Sequence, residues 1–404
     1  MNLLFFYRIY PCYGGVEVVT TVLSNKFVKD GHKVTIVSIE QPNPELLNQL
    51  DSSIEVIKLE YPVINKVNIN RLHNIIINKN IDLVINQWGL PYKSTILCNK
   101  AIKGTNCKLI SVLHGSPYTS KVIIKAQDKV KRAHSIIDKC CYQVILKIKE
   151  EIIKWSIRYN IKHNEKFILL SNSFIQPLIK YSRVKNATNI ISIGNPITIP
   201  VDLTDFSIHK KKKQILYAGR MDFENKRVNR IIDAWKMICN DYLDWELILV
   251  GNGPYKDELI SIVSNEKIRN VHFEDFQVEP PVKFYKDASI YMLTSDLEGF
   301  GLVIVESMSY GVVPIVYGSY EAVYDIIEQG KSGFITSMPY NNNNTVNLLR
   351  KLIENESLRN EMAANAIKRA KLFDLESIVN KWYLLFQEVL DNPIMSKRNN
   401  KYLI

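Results

Sequence analysis

Three features that would classify a chain quickly are missing from this 404-residue sequence: a long hydrophobic run, paired cysteines and a complete dinucleotide fingerprint. No apolar run approaches the roughly 18–20 residues of a membrane-spanning helix, so a transmembrane protein is not expected. The six cysteines are scattered without a C-x-x-C pair, which predicts reduced cytosolic thiols and no metal site. Gly251 and Gly253 form only a G-x-G pair. Glu40 follows the second predicted strand, but without the glycines that a nicotinamide-dependent oxidoreductase needs.

The amino-terminal segment carries a short apolar run, MNLLFFYRIYP, that is interrupted by Arg8. Because it lacks a basic region and a small-residue cleavage site, it is expected to form a first β-strand and not a secretion signal. Apolar residues make up 46% of the sequence and charged residues 23%. This composition is typical of a soluble globular protein with enough apolar content for two cores.

Charge is distributed unevenly along the chain. Residues 1–213 carry 31 Lys and Arg against 15 Asp and Glu, a net charge of +16, and the remainder carries −5, which together give +11. This asymmetry predicts that the first half faces an anionic partner. No nucleic-acid-binding module or basic–aromatic repeat accompanies it, so nucleic acid is not the expected partner.

Basic residues are concentrated in one predicted helix, 120–158, where they are interleaved with apolar and aromatic residues such as Trp155. They are Lys121, Lys125, Lys129, Lys131, Arg132, Lys139, Lys147, Lys149, Lys154 and Arg158. A basic amphipathic helix in residues 121–158 suits the surface of an anionic bilayer. A long solvated helix that packs on its own sheet explains the pattern equally well, and both interpretations stay open.

Short apolar strands alternate with helical patterns in two series. In the first, strands are predicted at 2–8, 33–39, 54–59, 81–86, 108–113, 166–171 and 188–193, with helices at 16–30, 68–79, 91–103 and 120–158. In the second, strands are predicted at 213–218, 246–250, 270–274, 289–294 and 312–316, with helices at 227–240, 254–265, 302–310, 343–354 and 356–371. The asparagine run 341–344 is predicted to be a surface loop.

Buried strands that alternate with helices predict parallel sheets covered by helices on both faces. The fold class is therefore α/β, with two doubly wound Rossmann-like domains at 1–200 and 201–374 and a helix plus tail at 375–404. The break between the two series lies around Pro196 and Pro200. Because open parallel sheets bind ligands beyond the carboxyl ends of their strands, a cleft between the two domains is the expected site.

Glu298 and Glu306 flank a Gly-Phe-Gly-Leu turn that opens a short helix, which Gly311 is expected to end. The exposed amides at the start of that helix would bind an anion. One carboxylate could hold a hydroxylated group beside a bound phosphate, and the other a second such group further along. A sugar nucleotide has this layout, while a helix-terminal charge plus a surface glutamate is the simpler alternative.

Two cations, Arg220 and Lys226, follow the predicted strand 213–218 and could neutralise a diphosphate. Arg227 and Arg230 continue into the next helix, where they are expected to form its solvated face.

Gly14 and Gly15 open the first helix and could let the backbone approach a phosphate or sugar, although a tight turn without a ligand is equally compatible. His114 follows the strand KLISVL and could bind a sugar hydroxyl or serve only as a structural residue.

The order of these motifs resembles that of the retaining glycosyltransferases of family 4. They are Gly-Gly-Val-Glu near the start, His-Gly in the first half, Gly-Arg…Lys opening the second half and Glu-x7-Glu near its end. The resemblance implies the GT-B fold, in which two Rossmann-like domains face a central cleft and the carboxyl-terminal domain holds the nucleotide. It also implies a last helix that crosses back to the first domain, for which residues 375–391 are the candidate.

By this resemblance, the catalytic residues are Glu298, His114, Arg220 and Lys226. The residues expected to bind the donor are Gly14, Gly15, Arg220, Lys226, Gln277, Val278, Glu298, Phe300, Gly301, Leu302, Val303 and Glu306. Glu298 would orient the donor sugar and Glu306 the ribose, the amides of 300–303 would meet sugar and phosphate, and the backbone at 277–278 would meet the base. Arg227 departs from the family, which commonly has glycine after the lysine.

The resemblance implies transfer of a hexosyl or N-acetylhexosaminyl group from a nucleotide-diphosphate sugar to a saccharide or lipid-linked saccharide, in surface polysaccharide biosynthesis. In the usual family account a donor phosphate oxygen takes the acceptor proton, so no protein base, metal or cofactor is expected. Asp296 and Glu298 have metal-ligand spacing, but their place before the helix favours the metal-free interpretation. A sugar-nucleotide 2-epimerase or a non-catalytic carbohydrate-binding assembly protein stays open. The expected location is the cytoplasm, at the inner face of the plasma membrane if residues 121–158 bind lipid.

Overall fold

The computed structural model describes residues 1–118, 120–204 and 206–391. The chain folds into two compact units, one formed by residues 1–194 with the chain from Ile378 onward and the other by residues 195–377. The tail 392–404, part of the predicted segment 375–404, lies outside the described residues.

The described residues of the first unit form a seven-stranded parallel sheet. Its strands are β1 (Asn2–Ile9), β2 (Lys33–Glu40), β3 (Glu55–Lys58), β4 (Leu83–Asn86), β5 (Lys108–Leu113), β6 (Lys166–Leu169) and β7 (Ile190–Ser192). They lie in the order β3-β2-β1-β4-β5-β6-β7. The helices are α1 (Gly15–Lys29), α2 (Lys66–Asn78), α3 (Tyr92–Ile102), α4 (Lys121–Lys131), α5 (Ile136–Lys162) and α6 (Ile175–Ser182). Since the order reverses between β1 and β4 and crossovers are right-handed, helices cover both faces, as predicted.

The described residues of the second unit form a six-stranded parallel sheet. Its strands are β8 (Gln214–Ala218), β9 (Glu246–Val250), β10 (Val271–Glu274), β11 (Ile290–Leu293), β12 (Val313–Tyr317) and β13 (Phe334–Thr336). They lie in the order β10-β9-β8-β11-β12-β13, so this order reverses between β8 and β11. The helices are α7 (Val228–Lys236), α8 (Lys256–Asn265), α9 (Val282–Asp287), α10 (Leu302–Ser309), α11 (Ala322–Ile326), α12 (Asn342–Glu354) and α13 (Glu356–Ala370).

The last described helix, α14 (Leu375–Asp391), belongs to the first unit from Ile378 onward. Its apolar face is buried, and Phe386 packs edge-on against Phe27 of α1 with ring centroids 5.5 Å apart. Tyr383 donates a hydrogen bond from its hydroxyl to Asp30 at 2.5 Å. No helix in the described part of the chain is both long and apolar enough to cross a bilayer.

Two predictions about helices are wrong. The helix predicted at 120–158 is two helices, α4 and α5, because Ser135 caps a new helix: its Oγ accepts from the amide of Asp138 at 3.0 Å and donates to that carboxylate at 2.7 Å. The asparagine run 341–344 is not a surface loop. Asn341 accepts from the amide of Asn344 at 3.2 Å, so the run caps and begins α12.

Candidate functional site

The carboxyl ends of β8 and β11 lie side by side where the strand order of the second unit reverses. Ligands of open parallel sheets bind outside the strands at such a point. Loop 219–227 follows β8 and carries Arg220 and Lys226, and loop 294–301 follows β11 and carries Glu298. Three predicted site residues therefore share one edge of one sheet, although Lys226 and Glu298 are 72 residues apart in sequence.

Lys226 and Glu298 form an ion pair across these loops. Lys226 Nζ lies 2.5 Å from Glu298 Oε1, and the two side chains are 22% and 13% exposed. Asp222 holds the lysine loop, because its Oδ1 accepts from the amides of Asn225 and Lys226, both at 2.8 Å. The predicted phosphate cation and the predicted sugar-orienting carboxylate are thus held together, where a ligand with both phosphate and hydroxyl groups could engage each of them.

Arg227 and Arg230 do not form a solvated face, and that prediction is wrong. Arg227 Nε and Arg230 Nη1 each lie 2.6 Å from a different oxygen of Asp296. The Arg230 guanidinium also stacks on Tyr340, 4.6 Å from the ring centroid, and donates to the carbonyl of Thr294 at 2.9 Å. The face of α7 that the sequence pattern predicts to be exposed is covered by the loop after β11.

The residue in the place of the family's glycine adopts a glycine-like backbone. Arg227 has φ +51° and ψ +43°, the left-handed region that costs most residues about 1–2 kcal/mol. Its side chain compensates by pairing with Asp296 and lying over the ring of Phe223, 4.7 Å from the centroid. The chain therefore forms this left-handed turn without glycine.

Arg220 is the most exposed cation of this edge. Its side chain is 63% exposed, and its Nε lies 3.8 Å from Asp222 Oδ2. Tyr217 of β8 donates a hydrogen bond to the Arg220 carbonyl at 2.7 Å, which fixes the backbone and leaves the guanidinium accessible.

The start of α10 has the geometry expected of an anion site. Gly301 adopts φ +89°, and a Cβ there would lie 2.7 Å from the Tyr320 hydroxyl, so the position requires glycine. The side chain of Phe300 is buried against Phe373, with ring centroids 5.6 Å apart, so Phe300 has only its backbone to offer a ligand. The first amides of the helix, including those of Leu302 and Val303, lack a carbonyl partner within it.

The helix ends as predicted, because Gly311 follows it with φ +65°. The hydroxyl of Tyr320 is buried, has no hydrogen-bond partner among the described residues and lies close to Gly301.

Glu306 is a buried carboxylate, only 6% exposed. Thr198 donates a hydrogen bond to its Oε1 at 2.5 Å, and Tyr285 donates to its Oε2 at 3.4 Å. Burial raises the pKa of Glu306 above its ordinary value, while the hydroxyl from Thr198 acts in the opposite direction. Burying the Glu306 carboxylate lowers the stability of the fold. The two hydroxyl donors keep the carboxylate in an orientation in which it can accept hydrogen bonds.

Gln277 and Val278 lie beyond β10, the edge strand, two strands away from β8. Val278 is 61% exposed, and the Gln277 side chain donates to the backbone carbonyl of Asp275 at 2.9 Å. The structure therefore does not bring these residues against the Lys226–Glu298 pair. Their assignment to the base remains a prediction.

In the first unit, Gly14 precedes α1, and Gly15 is its first residue. A Cβ at Gly14 would lie 2.3 Å from the Glu17 carboxylate, which folds back over it. Burial raises the pKa of Glu17. The Glu17 carboxylate therefore accounts for glycine at position 14, because it occupies the space that a Cβ would need. Contact of this glycine with a phosphate remains a prediction.

His114 follows β5, and its Nε2 lies within hydrogen-bond distance of the Oε1 of Gln87, the first residue after β4. Burial lowers the pKa of His114 to about 3, so the imidazole is neutral. The sequence does not identify Gln87, because a single glutamine after a strand belongs to no motif. Only the pairing of β4 with β5, which brings Gln87 next to His114, could have indicated it. Across the described residues, no three His, Cys, Asp or Glu side chains converge as metal ligands.

Two family models match the chain in succession. The model described as Glycosyltransferase Family 4 matches residues 13–198, and the model described as Glycosyl transferases group 1 matches residues 202–369. The chain belongs to the family 4, group 1 glycosyltransferases. The family predicted from the order of the sequence motifs is confirmed.

Two curated relatives match over nearly their whole length, and a third matches over about half. The chain is 24% identical over 381 residues to an uncharacterised glycosyltransferase of Haemophilus influenzae, covering 91% of this chain and 95% of the relative. It is 21% identical over 403 residues to the N-acetyl-alpha-D-glucosaminyl L-malate synthase of Bacillus anthracis, and the match covers 94% of this chain and 96% of that relative. A Campylobacter jejuni N-acetylgalactosaminyltransferase named for an undecaprenol-linked acceptor is 25% identical over 201 residues, covering 48% and 54%.

Solved structures agree on the fold. The complex of Anabaena HepE with UDP and glucose matches with a TM-score of 0.72 at 18% identity, covering 96% of this chain and 100% of that one. A glycosyltransferase from Rickettsia africae matches with a TM-score of 0.73 at 18% identity, covering 97% and 99%. The predicted GT-B fold is therefore confirmed.

Proposed function

We propose that this glycosyltransferase transfers a hexosyl or N-acetylhexosaminyl group, with retention, from a nucleotide-diphosphate sugar to a saccharide or lipid-linked saccharide in surface polysaccharide biosynthesis. The observation that carries the proposal is the Lys226–Glu298 ion pair between the loops after β8 and β11. Gly301 starts α10 at the same edge, and Glu306 lies just over one turn inside that helix. This order matches the sugar, diphosphate and ribose of such a donor.

In the proposed reaction, the bond between the anomeric carbon and the diphosphate breaks as the acceptor oxygen bonds to the same face of the sugar. The negative charge that develops on the leaving diphosphate would be stabilised by Arg220, Lys226 and the first amides of α10, a task suited to fixed charges and dipoles. A donor phosphate oxygen takes the acceptor proton. The reaction needs neither a protein base nor a cofactor.

A metal-independent reaction is proposed because the acidic pair has other partners. Both oxygens of Asp296 are engaged by Arg227 and Arg230, and Glu298 is paired with Lys226. Two carboxylates that already neutralise cations are poor ligands for a divalent ion, which must compete with those cations.

The relatives support the donor and acceptor classes. One is named as an N-acetyl-alpha-D-glucosaminyl L-malate synthase, and another is named for an undecaprenol-linked saccharide acceptor. One structural neighbour was solved with UDP and glucose. Cytoplasmic location is proposed because nucleotide sugars are the substrates and because all six cysteines are free thiols.

A membrane-facing surface on α5 supports a lipid-linked acceptor. Ile137, Val144, Ile148, Ile152 and Trp155 follow one helical face and are 45–76% exposed. Exposed lysines, among them Lys139 and Lys147, accompany this apolar stripe. A basic helix with exposed apolar residues is typical of attachment to an anionic bilayer. We propose that this surface docks on the anionic inner face of the plasma membrane.

Not every basic residue of 121–158 serves that surface. Lys154 pairs with Glu151 at 2.7 Å, and Arg158 donates to the carbonyl of Ser182 at 2.7 Å. These two side chains are engaged within the first unit, so the proposed docking charge comes from the exposed lysines nearer the start of α5.

Sedimentation with vesicles tests the docking surface. The wild type is expected to bind phosphatidylglycerol vesicles and to release them at high salt, and K139Q/K147Q is expected to bind at least tenfold more weakly, because each lysine contributes about 1 kcal/mol. The control Leu243→Gln changes a residue of the second unit that is 62% exposed. Absence of salt-sensitive binding by the wild type, or equal loss in the control, counts against docking.

Two other functions predict different products. A 2-epimerase would convert the sugar nucleotide without any acceptor, whereas the proposed transferase would release nucleotide diphosphate only when sugar is transferred to an acceptor or water. A non-catalytic assembly protein would bind saccharide without turnover, and the retained Arg220 and Glu298 argue against it. Chromatography of UDP-sugar mixtures with and without acceptor separates the three.

A thermal-shift screen tests the site itself. Nucleotide present at about 100 times its Kd stabilises the protein by ~2.7 kcal/mol. UDP or GDP compounds are expected to shift the wild type, and R220A and E306A are expected to reduce that shift. Glu328→Ala removes the surface ion pair of that carboxylate with Arg369 and serves as the control. Equal shifts in all four proteins would refute the site assignment.

A further inference from the structure

A cleft of about 490 Å³ lies on the first unit between α5, α6 and the chain that follows β5. Its lining combines cations with aromatic rings: Tyr118, Lys154, Pro177, Lys180, Tyr181 and Arg183. The volume falls within the roughly 300–1,000 Å³ of small-molecule sites. All of these residues belong to the first unit, so the cleft needs no residue of the second. We call it the α5–α6 cleft.

Lys154 is a largely buried cation in the wall of the α5–α6 cleft. Its side chain is only 12% exposed, and its Nζ lies 2.7 Å from the Glu151 carboxylate and 5.3 Å from the ring centroid of Tyr181. Taking an ammonium group out of water costs free energy unless anionic or aromatic partners offset it. The fold therefore fixes this charge in place.

Positive charge exceeds negative charge around the cleft. The hydrogen bond from Lys154 lowers the pKa of Glu151, and Arg158 and Arg183 act in the same direction, so one carboxylate has several cations around it. The charged side chains near the cleft are the cations Lys154, Arg158, Lys180 and Arg183 and the carboxylates Glu150 and Glu151. The excess of two positive charges favours an anionic ligand.

The end of α6 presents a cation to the cleft from a strained position. Arg183 ends α6 in the left-handed backbone region, with φ +57° and ψ +35°, where glycine or asparagine is usual. Arg158 offsets the negative end of the helix dipole, because its Nη1 donates to the carbonyl of Ser182 at 2.7 Å. The backbone alone therefore does not require an arginine at position 183, and strain of this kind is typical of functional sites.

Tyr181 offers a hydrogen-bond donor to the same cleft. Its hydroxyl is buried and has no hydrogen-bond partner among the described residues. Burial raises the pKa of Tyr181 to about 12, with Glu150 and Glu151 acting in the same direction, so the hydroxyl stays protonated. Buried polar groups are nearly always paired, so this hydroxyl indicates a missing acceptor.

A phosphate ester fits these groups better than a metal ion or a carboxylate. The cations repel a metal ion. A carboxylate presents two oxygens in one plane, whereas a phosphate presents oxygens in several directions. A phosphate can therefore accept from an ammonium group, a guanidinium group and a hydroxyl together, as Lys180, Arg183 and Tyr181 supply them.

The position of the α5–α6 cleft indicates where the phosphate comes from. Lys154 lies on α5 between Ile152 and Trp155, which belong to the apolar stripe of the proposed docking surface. A lipid held at that surface would bring its phosphate to the end of the stripe, next to the cleft.

We propose that the α5–α6 cleft binds the phosphate that joins a lipid-linked acceptor saccharide to its lipid. The inference rests on the proposed function, since it takes the class of acceptor from it. The phosphate site itself can be tested without a donor sugar and without turnover.

Calorimetric titration of the full chain with farnesyl diphosphate, a soluble lipid diphosphate, tests the cleft. UDP is kept saturating, so that the diphosphate site expected in the second unit is occupied. The wild type is expected to bind, and K180Q/R183Q is expected to bind roughly a hundredfold more weakly, because two charge-assisted hydrogen bonds are lost. Tyr181→Phe, which removes only the hydroxyl, is expected to bind about tenfold more weakly. No binding by the wild type overturns the proposal.

Two control variants separate this site from net charge and from packing. K29Q/K33Q removes the same charge from the end of α1 and the start of β2, and it is expected to bind farnesyl diphosphate as the wild type does. Lys180→Arg keeps the positive charge and is also expected to retain binding. An equal loss in K180Q/R183Q and K29Q/K33Q, or a full loss in Lys180→Arg, overturns the proposal.

Inorganic pyrophosphate and vesicles separate the sources of the phosphate. Pyrophosphate is expected to bind the wild type about tenfold more weakly than farnesyl diphosphate, because it has no apolar chain to bury. K180Q/R183Q is expected to bind phosphatidylglycerol vesicles as well as K29Q/K33Q does. Equal binding of pyrophosphate would make the cleft a site for a free anion, and a selective loss of vesicle binding would make it a site for membrane headgroups. Either result refutes the acceptor assignment.

Failure of this inference can be distinguished from failure of the proposed function. If sugar nucleotides stabilise the wild type but farnesyl diphosphate binds K180Q/R183Q as tightly as the wild type, the inference is refuted and the proposed function stands. If farnesyl diphosphate binds at the cleft but no sugar nucleotide binds the protein, the proposed function fails and the acceptor assignment fails with it. The phosphate site in the first unit is then still established by the difference between the two double variants.

Discussion

Replacing Asp296 by alanine should destabilise the second unit, because this carboxylate joins the loop after β11 to the first turn of α7. Arg227 and Arg230 each bind one of its oxygens at 2.6 Å, with side chains 29% and 20% exposed. Exposed ion pairs contribute about 0.2–1 kcal/mol, and breaking a buried pair costs about 3–5 kcal/mol. Two half-buried pairs on one carboxylate should therefore contribute ~2–3 kcal/mol together.

Calorimetric unfolding of the full chain measures the effect. Domains of about 150–250 residues lose roughly 2–4 °C of Tm per kcal/mol, so Asp296→Ala should unfold roughly 5–10 °C lower than the wild type. Asp244→Ala is the matched control, because the ion pair between Lys213 and Asp244 is 55% and 61% exposed. The control should lose about 4 °C or less. Equal losses in the two variants would refute the argument that partial burial makes the Asp296 pairs strong.

Substitutions at three further positions test other parts of the second unit. The free energy of unfolding of Arg227→Gly should lie within ~1 kcal/mol of the wild-type value, because glycine relieves about 1 kcal/mol of left-handed backbone strain while the ion pair with Asp296 is lost. Arg227→Ala loses the ion pair and keeps the strain, so its Tm should be lower than that of Arg227→Gly. Burial lowers the pKa of Lys211 to about 7 in the folded protein, compared with about 10.5 in the unfolded chain. Between these two pH values the unfolded chain binds more protons than the folded protein, so the free energy of unfolding of the wild type should rise with pH. Lys211→Met should lack this rise in urea titrations. Burial raises the pKa of Glu306 in the folded protein. The contribution of Glu306 to the free energy of unfolding is therefore full below its unfolded pKa of about 4.5 and is lost as pH rises through its folded pKa. Glu306→Gln should gain stability relative to the wild type as pH rises, and a difference that stays constant with pH would contradict this.

The sequence predicted the sheets well because most strands are short apolar runs that are buried on both faces, with the edge strands β3 and β10 only partly buried. It missed β13, Phe334–Thr336, where only two consecutive residues, Phe334 and Ile335, are apolar. It merged α4 and α5 because apolar and basic residues continue through the turn, and only the capping by Ser135 separates them.

Site residues were predictable where one segment contains the whole motif. The helix start at Gly301 and its end at Gly311 are local features of this kind. The sequence shows Asp296 at metal-ligand spacing from Glu298, in a place that favours the metal-free interpretation, but it does not identify the partners of Asp296, because they lie about 70 residues earlier and meet it only when β8 and β11 pair. Arg230 illustrates the same limit: helical periodicity identifies a polar face but not the loop that covers it.

The most direct test of the central claim is a crystal structure with a bound UDP- or GDP-sugar, chosen as the compound that gives the largest thermal shift. The account predicts ribose hydroxyls at Glu306, the diphosphate at the first amides of α10 with Lys226 and Arg220 beside it, and the Lys226–Glu298 pair opened by the ligand. Density for the nucleotide at any other place on the second unit, with that ion pair intact, would contradict it.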